Sequence, residues 1–185
     1  VQHPDYNTLA SRIIISNHHR NTSSSFFSAM EELYNFHDIH NKHVPIINNE
    51  IFTIIQENKE DLESMIVHDR DNLIDYFGFK TLERAYLMKV HKKIVERPQY
   101  LWLRVALGIH GNNMVKVKTT YDLMSQKYFT HATPTLFASG TPRPQLASCF
   151  LMGMEDSVKG IYKTVSDCAE ISAGAGGIGF DVAPG

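Results

Sequence analysis

The sequence has few cysteines, no long apolar run and little net charge, and each shortage excludes a class of protein. Cys149 and Cys168 are the only cysteines among 185 residues, too few for a disulfide framework, so a reducing, cytoplasmic setting is predicted. No apolar stretch is long enough to span a membrane, and no signal peptide is visible. A formal net charge of −2 does not indicate a nucleic-acid or bilayer surface.

The composition is that of a globular, soluble protein with material for a core. Hydrophobic residues make up 43% of the chain and charged residues 21%, and the length allows one domain or one and a half. The chain begins at Val1 instead of methionine and stops at Gly185, just after a predicted strand. We therefore expect a fragment, with the rest of a sheet beyond that strand.

Helical periodicity dominates the first part of the chain. The predicted helices are Pro4–His19, a helix capped within Ser23–Ser25, Asn49–Asn58, Glu60–Val67, a helix from Arg97 and Pro98, and Met114–Tyr128. Between them, Leu82–Val95 is predicted to form a hairpin, with a helix over its first half as the alternative. The aromatic cluster Tyr76–Phe79 is predicted to pack in the core.

Three histidines lie in the loop that ends at Pro45. The spacing of His37, His40 and His43 is compatible with zinc binding. No cysteine or fourth ligand is nearby, however, and only two of the three could align on one helical turn. We therefore predict solvated loop histidines and no metal ligand.

The end of the chain begins with a loop and a strand. Thr133–Pro144 is punctuated by proline and glycine and is predicted to be a loop. Leu146–Met154 is short, apolar and bounded by turn residues, which predicts a buried strand. Because successive side chains of a strand point to opposite faces, Ser148 and Cys149 are expected to face different ways.

A helix and a second strand complete the unit. Asp156 or Ser157 is predicted to cap the helix. The apolar face of this helix comprises Val158, Ile161, Tyr162, Val165, Ala169 and Ser172. The sequence GGIGFDV then resumes a strand, so one parallel βαβ unit is predicted.

The glycines between that helix and strand match G-x-G-x-x-G through Gly174, Gly176 and Gly179. A dinucleotide fingerprint follows a strand and opens a helix, which is the reverse of the order found here. We predict instead a helix C-cap and a close backbone approach. So dense a cluster also suggests that a ligand or a second backbone comes near.

Several segments resemble the large, catalytic subunit of class I ribonucleotide reductase, and more closely its eukaryotic-type branch. They are HPDYNTLASRIIISNHHRNT, YFGFKTLERAYLMKV, THATPTLFASGTPRPQLASCFLM, DSVKGIYKTVSDCAEIS and AGGIG. They occur in the family's order and spacing over essentially the whole chain. The resemblance implies an α-helical N-terminal region over residues 1–142, followed over 143–185 by the first βαβ unit of a ten-stranded α/β barrel.

The implied reaction is the reduction of ribonucleoside diphosphates to deoxyribonucleoside diphosphates for DNA synthesis. Replacing a ribose 2′-hydroxyl with hydrogen needs two reducing equivalents, which two thiols supply by closing to a disulfide, and a thiyl radical that a cofactor generates. By residue type alone, Cys149 would be a small buried hydrophobe; the resemblance makes it one of the reducing pair. The family's partner cysteine, radical cysteine and catalytic Asn and Glu lie further along its chain. This fragment alone is therefore predicted to be inactive, and Cys168 is predicted to pack in the core.

The resemblance also implies a substrate site. Thr133, Ser148 and Gly177 match positions that bind the nucleoside diphosphate. A hydroxyl or a backbone N–H at a loop or strand end can hold a phosphate or ribose oxygen. Alone, Thr133 would be an ordinary loop residue.

An allosteric site is implied as well. Asp156, Ser157 and Val158 match the start of the specificity site, where a deoxynucleoside triphosphate or ATP selects the base to be reduced. The free N–H groups of a helix start suit that role, and a plain N-cap is the alternative. Eukaryotic-type relatives usually carry lysine where this chain has Ala173, which puts the triphosphate contact in doubt.

The implied partners are a radical-generating small subunit, a second large subunit, and thioredoxin or glutaredoxin. No cofactor is expected on this fragment, because the radical comes from the metal centre of the small subunit. The family's N-terminal ATP-binding activity domain and its C-terminal tail with shuttle cysteines are expected outside this stretch. The rival interpretations are an adenosylcobalamin-dependent reductase and a non-catalytic helical module that binds a nucleotide or a protein.

Overall fold

The computed structural model describes residues 3–174 and 176–181. The α-helices in those ranges are Pro4–Asn21 (α1), Phe26–Tyr34 (α2), Asn49–Glu57 (α3), Lys59–Met65 (α4), Tyr76–Thr81 (α5), Pro98–His110 (α6), Met114–Ser125 (α7), Thr133–Ala138 (α8) and Val158–Ala173 (α9). The strands are Lys89–Val90 (β1), Lys93–Ile94 (β2), Cys149–Gly153 (β3) and Gly177–Asp181 (β4). A 3₁₀ helix covers His68–Leu73, and a π-helical turn covers Leu82–Tyr86.

The chain forms two compact units. One runs to Thr130 and includes Gly140–Pro142, and the other comprises His131–Ser139 and the residues from Arg143 onward. In its described residues the first unit is mainly helical and includes the small antiparallel pair β1–β2. The second contains α8, the parallel pair β3–β4 and α9. No helix in the described part of the chain is long and apolar enough to cross a membrane.

The helix α6 forms the centre of the first unit. All its residues from Pro98 to Leu107 are buried, and it packs against α7. The buried face of α7 is made by Val117, Tyr121 and Met124. The helix was predicted to continue to Tyr128, but it ends at Ser125 because Lys127 takes a positive φ of 68°. Tyr128 is consequently exposed and does not extend the buried face.

The other predicted helices of this unit are confirmed within a few residues. The predicted cap of the second helix is Ser25, whose hydroxyl accepts a hydrogen bond from the Ser28 N–H at 3.2 Å. The predicted helix start at Pro98 is also found. Proline suits this position because the first N–H groups of a helix have no hydrogen-bond partner within the helix. These starts depend on the first turn alone, so local sequence is sufficient to place them.

Two predictions in the middle of the first unit are partly wrong. The hairpin predicted over Leu82–Val95 shrinks to the two-residue strands β1 and β2, because Leu82–Tyr86 continues α5 as a π-helical turn. Of the aromatic cluster, Phe79 is fully buried, but Phe77 is 79% exposed. A helix directs these neighbouring side chains around its circumference, so they cannot all enter one core.

The predicted loop Thr133–Pro144 is also corrected. Its first half is α8, with Pro134 in the first turn, where proline is tolerated. The positive φ of Gly140, 81°, follows shortly after the helix. The sequence was interpreted as a loop because a six-residue helix with proline at its start shows too little periodicity to be recognised.

The second unit is built on the predicted βαβ arrangement, which is confirmed. The strands β3 and β4 pair in parallel, with Cys149 opposite Gly177 and Gly153 opposite Asp181. The strand predicted over Leu146–Met154 forms its ladder only over β3, and it is not buried, since exposed and half-buried residues alternate along it. Within the described residues, β4 is the single strand that pairs with β3. The predicted last residue of the second strand, Val182, lies outside the described residues.

The helix α9 joins these strands, as predicted, but its buried side differs from the prediction. Val158 and Tyr162 of the predicted apolar face are 76% and 72% exposed. The buried residues of α9 are instead Gly160 and Thr164. Helical periodicity therefore placed the helix, whereas burial depends on which neighbours are present.

Candidate active site

The start of the parallel ladder brings together three predicted site residues. Cys149 is the first residue of β3 and pairs with Gly177, the first residue of β4. The N–H of Gly177 donates to the Ser148 carbonyl at 2.7 Å, which closes the ladder at this end. The Cys149 side chain is exposed and its thiol is free. An exposed thiol can be oxidised or form a disulfide, which an inert buried cysteine cannot readily do.

The side chains of Ser148 and Cys149 were expected to face different ways, and this expectation is wrong. The Ser148 hydroxyl donates to Cys149 Sγ at 3.7 Å. Ser148 precedes the ladder of β3, so its side chain is not held by the alternation of a paired strand. A hydroxyl and a thiol therefore share one end of the sheet.

Because Gly177 has no side chain, its backbone can lie close to Ser148 and Cys149. A Cβ there would lie 3.3 Å from the Ser148 carbonyl oxygen and 3.9 Å from Cys149 Sγ. The preceding glycine is tighter still, since a Cβ on Gly176 would lie 2.8 Å from the Phe150 ring and from Ile171. The predicted close backbone approach is therefore present in this glycine segment. The groups that come close are residues of β3, Ser148 just before it, and Ile171 near the end of α9.

The remaining predicted substrate residue lies on another element. Thr133 is the first residue of α8 and is exposed. The helix is tied to the segment before β3, because the Thr135 hydroxyl donates to the Leu146 carbonyl at 3.0 Å. Pro134 and Leu136 of this helix are buried. Thr133 therefore stands on an anchored turn two residues from that link.

The predicted effector residues lie together at the start of α9. Ser157 is the N-cap, and its hydroxyl accepts from the Gly160 N–H at 3.0 Å. Asp156, Ser157 and Val158 are all exposed. Within residues 3–174 and 176–181, the Asp156 carboxylate makes no hydrogen bond or ion pair. Capping thus occupies Ser157 and leaves the neighbouring carboxylate available.

Gly160 is a structural part of this segment that sequence reasoning missed. A Cβ at Gly160 would lie 2.6 Å from the Glu155 Cβ and 2.8 Å from the Glu155 carbonyl oxygen. The turn from Glu155 to Ser157 folds back against the first helical turn and requires glycine there. A glycine inside a helix costs about 1 kcal/mol relative to alanine, and its presence in the first turn was the available signal.

Cys168 lies in the middle of α9, half-buried and free. The prediction that it packs in the core is therefore only partly met within this unit. Among the described residues no group of three or more His, Cys, Asp or Glu side chains could hold a metal ion.

Comparison with protein families gives two matches that divide the chain. A family model described as "Ribonucleotide reductase, all-alpha domain" matches residues 72–144. A second, described as "Ribonucleotide reductase, barrel domain", matches residues 147–184. The helical first unit and the βαβ of the second unit accord with these two descriptions. These matches place the chain in the ribonucleotide reductase family, with a helical domain followed by the start of the barrel domain.

Individual relatives are more specific. The chain is 53% identical over 182 residues to the ribonucleoside-diphosphate reductase large chain 2 of Saccharomyces cerevisiae, covering 97% of this chain and 21% of that protein. It is 54% identical over 184 residues to the large subunit from Caenorhabditis elegans and 50% identical over 184 residues to that from Danio rerio, each time covering 98% of this chain and 23% of the relative. The chain belongs to the family of ribonucleoside-diphosphate reductase large subunits. It spans between a fifth and a quarter of the length of these relatives, which favour neither rival interpretation.

Proposed function

We propose that this chain is the part of a ribonucleoside-diphosphate reductase large subunit that carries one of its two reducing cysteines. The observation that carries the proposal is the exposed, free thiol of Cys149 at the start of β3, opposite Gly177 and beside the Ser148 hydroxyl. The relatives are named for the reduction of ribonucleoside diphosphates. In that reaction the ribose 2′-hydroxyl leaves as water, hydrogen replaces it, and two thiols become one disulfide.

Cys149 supplies one of the two thiols. Its exposure allows both the substrate and a second cysteine to reach the sulfur, as disulfide formation requires. The partner cysteine and the cysteine that carries the thiyl radical belong to other parts of the complete subunit. The radical originates at the metal centre of a separate small subunit, and thioredoxin or glutaredoxin reduces the disulfide after each turnover.

The nucleoside diphosphate binds beside Cys149. The Ser148 hydroxyl and the Thr133 hydroxyl hold oxygens of the ribose or the diphosphate, each as a donor or an acceptor. Gly177 lets the substrate come close to the backbone, because a larger residue would place a Cβ 3.9 Å from the Cys149 sulfur. The substrate thus lies at the end of the β3–β4 ladder.

The effector, a deoxynucleoside triphosphate or ATP, binds at the start of α9. The free Asp156 carboxylate accepts a hydrogen bond from a sugar hydroxyl, and the backbone N–H of Val158, in the first turn of the helix, faces the phosphates. Ala173, at the far end of the helix, supplies no cation. This chain consequently binds the triphosphate more weakly, or in a different geometry, than relatives with lysine there.

The complete subunit has the ten-stranded barrel of the family, of which β3, α9 and β4 are the first unit. In this proposal residues 1–142 form the helical domain, and residues 143–185 begin the barrel. Two large subunits assemble with the small subunit in the cytoplasm. The support for this assembly is the family membership together with the helical and βαβ units described above.

The experiment that tests the proposal replaces each cysteine separately in a complete large subunit that contains this sequence. Cys149→Ser should reduce multiple turnover to background, because serine cannot form a disulfide, while the circular dichroism spectrum stays unchanged. Cys168→Ser is the matched control: it should keep turnover and lower the free energy of unfolding by at most about 1–2 kcal/mol. The assay is reduction of cytidine diphosphate with small subunit and thioredoxin supplied. Equal losses of activity in the two variants would refute the assignment of Cys149.

A further inference from the structure

The loop between α2 and α3 holds two histidines in a defined pair. His37 and His43 face each other in an antiparallel bridge. Hydrogen bonds flank the pair on both sides, from the Asp38 N–H to the Lys42 carbonyl and from the Val44 N–H to the Phe36 carbonyl, both at 2.9 Å. The two histidines therefore occupy a non-hydrogen-bonded position, where facing side chains come closest, with Cα atoms about 4.5 Å apart.

Backbone carbonyls fix the tautomer of both rings. His37 Nδ1 lies 2.7 Å from the Asn35 carbonyl oxygen, and His43 Nε2 lies 2.7 Å from the Tyr34 carbonyl oxygen. A carbonyl oxygen only accepts, so each of these nitrogens carries a proton and donates it. The other nitrogen of each neutral ring, His37 Nε2 and His43 Nδ1, keeps its lone pair. Histidines that ligate a metal usually donate their second N–H in this way.

Contacts within the protein hold the loop in this shape. The Asp38 carboxylate accepts from the His40 N–H at 2.8 Å and from the Lys42 N–H at 2.9 Å, which fixes the turn. On the other side, the His43 ring packs edge-on against Tyr34, with centroids 5.4 Å apart. Tyr34 in turn stacks on Phe52 at 4.1 Å. The pair is therefore preorganised, and an ion need not order it.

We propose that His37 Nε2 and His43 Nδ1 bind one divalent transition-metal ion of the zinc type, with water completing the coordination. Their ring centroids are 5.2 Å apart, with an angle of 41° between the rings. With metal–nitrogen bonds of about 2.0–2.1 Å, two imidazoles on one tetrahedral ion have centroids roughly 5 Å apart. Both side chains are exposed, so an ion can reach them.

Two side-chain ligands are compatible with the absence of any three-residue metal group in the described part of the chain. Imidazole nitrogen selects zinc, nickel and copper over magnesium and calcium, which prefer oxygen ligands. His40 lies at the tip of the same turn, outside the pair. The sequence-based prediction of no metal site considered only whether the three histidines could align on one helical turn. The reversal of the chain, not a helical turn, brings residues six apart together.

The test is a calorimetric titration of the 185-residue chain with Zn²⁺ at pH 7.5. Cys149→Ser and Cys168→Ser are included in every sample, because an exposed thiol is itself a zinc ligand. We expect saturable binding of one ion, and no binding of Mg²⁺. His37→Gln and His43→Gln should each lower the affinity by at least about tenfold, since each removes one of two protein ligands. His40→Gln is the matched control, and its affinity should stay within about twofold of the parent.

A second measurement identifies the nitrogens. In ¹⁵N spectra of the histidine side chains, Zn²⁺ should shift His37 Nε2 and His43 Nδ1, the two nitrogens without protons, and leave the signals of His40 in place. Saturable binding that survives the double variant His37→Gln with His43→Gln would overturn the proposal. So would an equal loss in His40→Gln, or the lack of any saturable binding of Zn²⁺ by the parent chain.

Discussion

At the scale of single residues, Gly176 shows why glycine is needed in the segment between α9 and β4. Gly176 comes just before β4, which begins at Gly177, and α9 ends at Ala173. The Gly176 N–H donates to the Ile171 carbonyl at 3.1 Å. On its other side the Phe150 ring occupies the space that a Cβ would need. Glycine is required here by packing, which a dinucleotide motif does not explain.

Replacing Gly176 by alanine should therefore destabilise the second unit. The new Cβ would lie 2.8 Å from both the Phe150 ring and Ile171, and overpacking of this kind costs about 1–3 kcal/mol. Gly153→Ala is the matched control, because a Cβ at the end of β3 meets nothing within 4 Å. Urea denaturation of both variants measures the difference. A Gly176→Ala variant as stable as Gly153→Ala would show that the segment adapts without cost.

At the scale of elements, two neighbouring residues at the start of α9 have different roles. Ser157 caps the helix through the Gly160 N–H, and substituting such a cap by alanine costs about 1 kcal/mol. Asp156 has no such task, because its carboxylate is exposed and makes no hydrogen bond or ion pair among the described residues. A carboxylate without a structural partner at a helix start is suited to a ligand.

Asp156→Ala in the complete enzyme should accordingly weaken effector binding and leave basal reduction intact. A hydrogen bond to a charged group is worth about 1.5–3 kcal/mol, so effector affinity should fall roughly ten- to a hundredfold. Asp167→Ala is the control on the same helix, since its carboxylate pairs with Lys163 on the exposed surface. The assay is reduction of all four diphosphates with each effector in turn, compared with the parent enzyme. If base selection persists while basal turnover collapses, Asp156 belongs to the catalytic site.

At the scale of the whole molecule, the first unit contains a buried polar network. Glu96 and Arg104 are fully buried and paired at 2.6 Å. Arg97 donates to the carbonyls of His19 and Thr22 at 2.9 and 2.8 Å. Such pairs add little net stability but leave an uncompensated charge when one partner is removed. The helical unit is thus held in one arrangement by charged groups as well as by apolar packing.

This network makes stability depend on pH. Burial lowers the pKa of His18, whose ring nitrogen donates to the Glu96 carbonyl at 3.2 Å. Burial, and then the Arg97 charge, lower the pKa of His68. In the unfolded chain both have the ordinary value of 6.5. As the pH falls below that value, the unfolded chain binds protons before the folded chain does, so folding becomes less favourable.

The free energy of unfolding should therefore be highest above about pH 7 and decrease as the pH falls towards 5.5. Each histidine contributes a slope of at most about 1.4 kcal/mol per pH unit. Urea denaturation at several pH values measures the slope, and His18→Gln should reduce it, because glutamine does not titrate and can still donate to the Glu96 carbonyl. A slope unchanged by His18→Gln would contradict the assignment.

The 185-residue chain alone should not reduce ribonucleotides. One turnover consumes two thiols and needs a thiyl radical, and Cys149 and Cys168 are the chain's only cysteines. The measurement is deoxyribonucleoside diphosphate formation with small subunit and dithiol supplied, with a complete large subunit as the positive control. Product formation by the isolated chain would refute the division of roles between Cys149 and the cysteines elsewhere in the subunit.

Much of the fold was predictable from local sequence, and the candidate site less so. The starts of α2, α6 and α9 follow from Ser25, Pro98 and Ser157, because a cap or a first-turn proline acts within one turn of helix. The residues assigned to the substrate and effector sites came from resemblance to a family, and residue type alone did not single them out. The contact between Ser148 and Cys149 was missed, because strand alternation was assumed where no ladder yet existed.

The sequence by itself determined where α2, α6 and α9 start, that a parallel βαβ unit follows the helical part, and which family the chain resembles. These features depend on periodicity, caps and motifs, all of which act over a few residues. Tertiary structure alone decided that Cys149 is exposed, that Phe77 leaves the core and that His37 meets His43. Burial and side-chain pairing depend on residues that are distant in sequence. A side chain gains the free energy of burial or of a contact only in the folded chain, where those residues lie beside it.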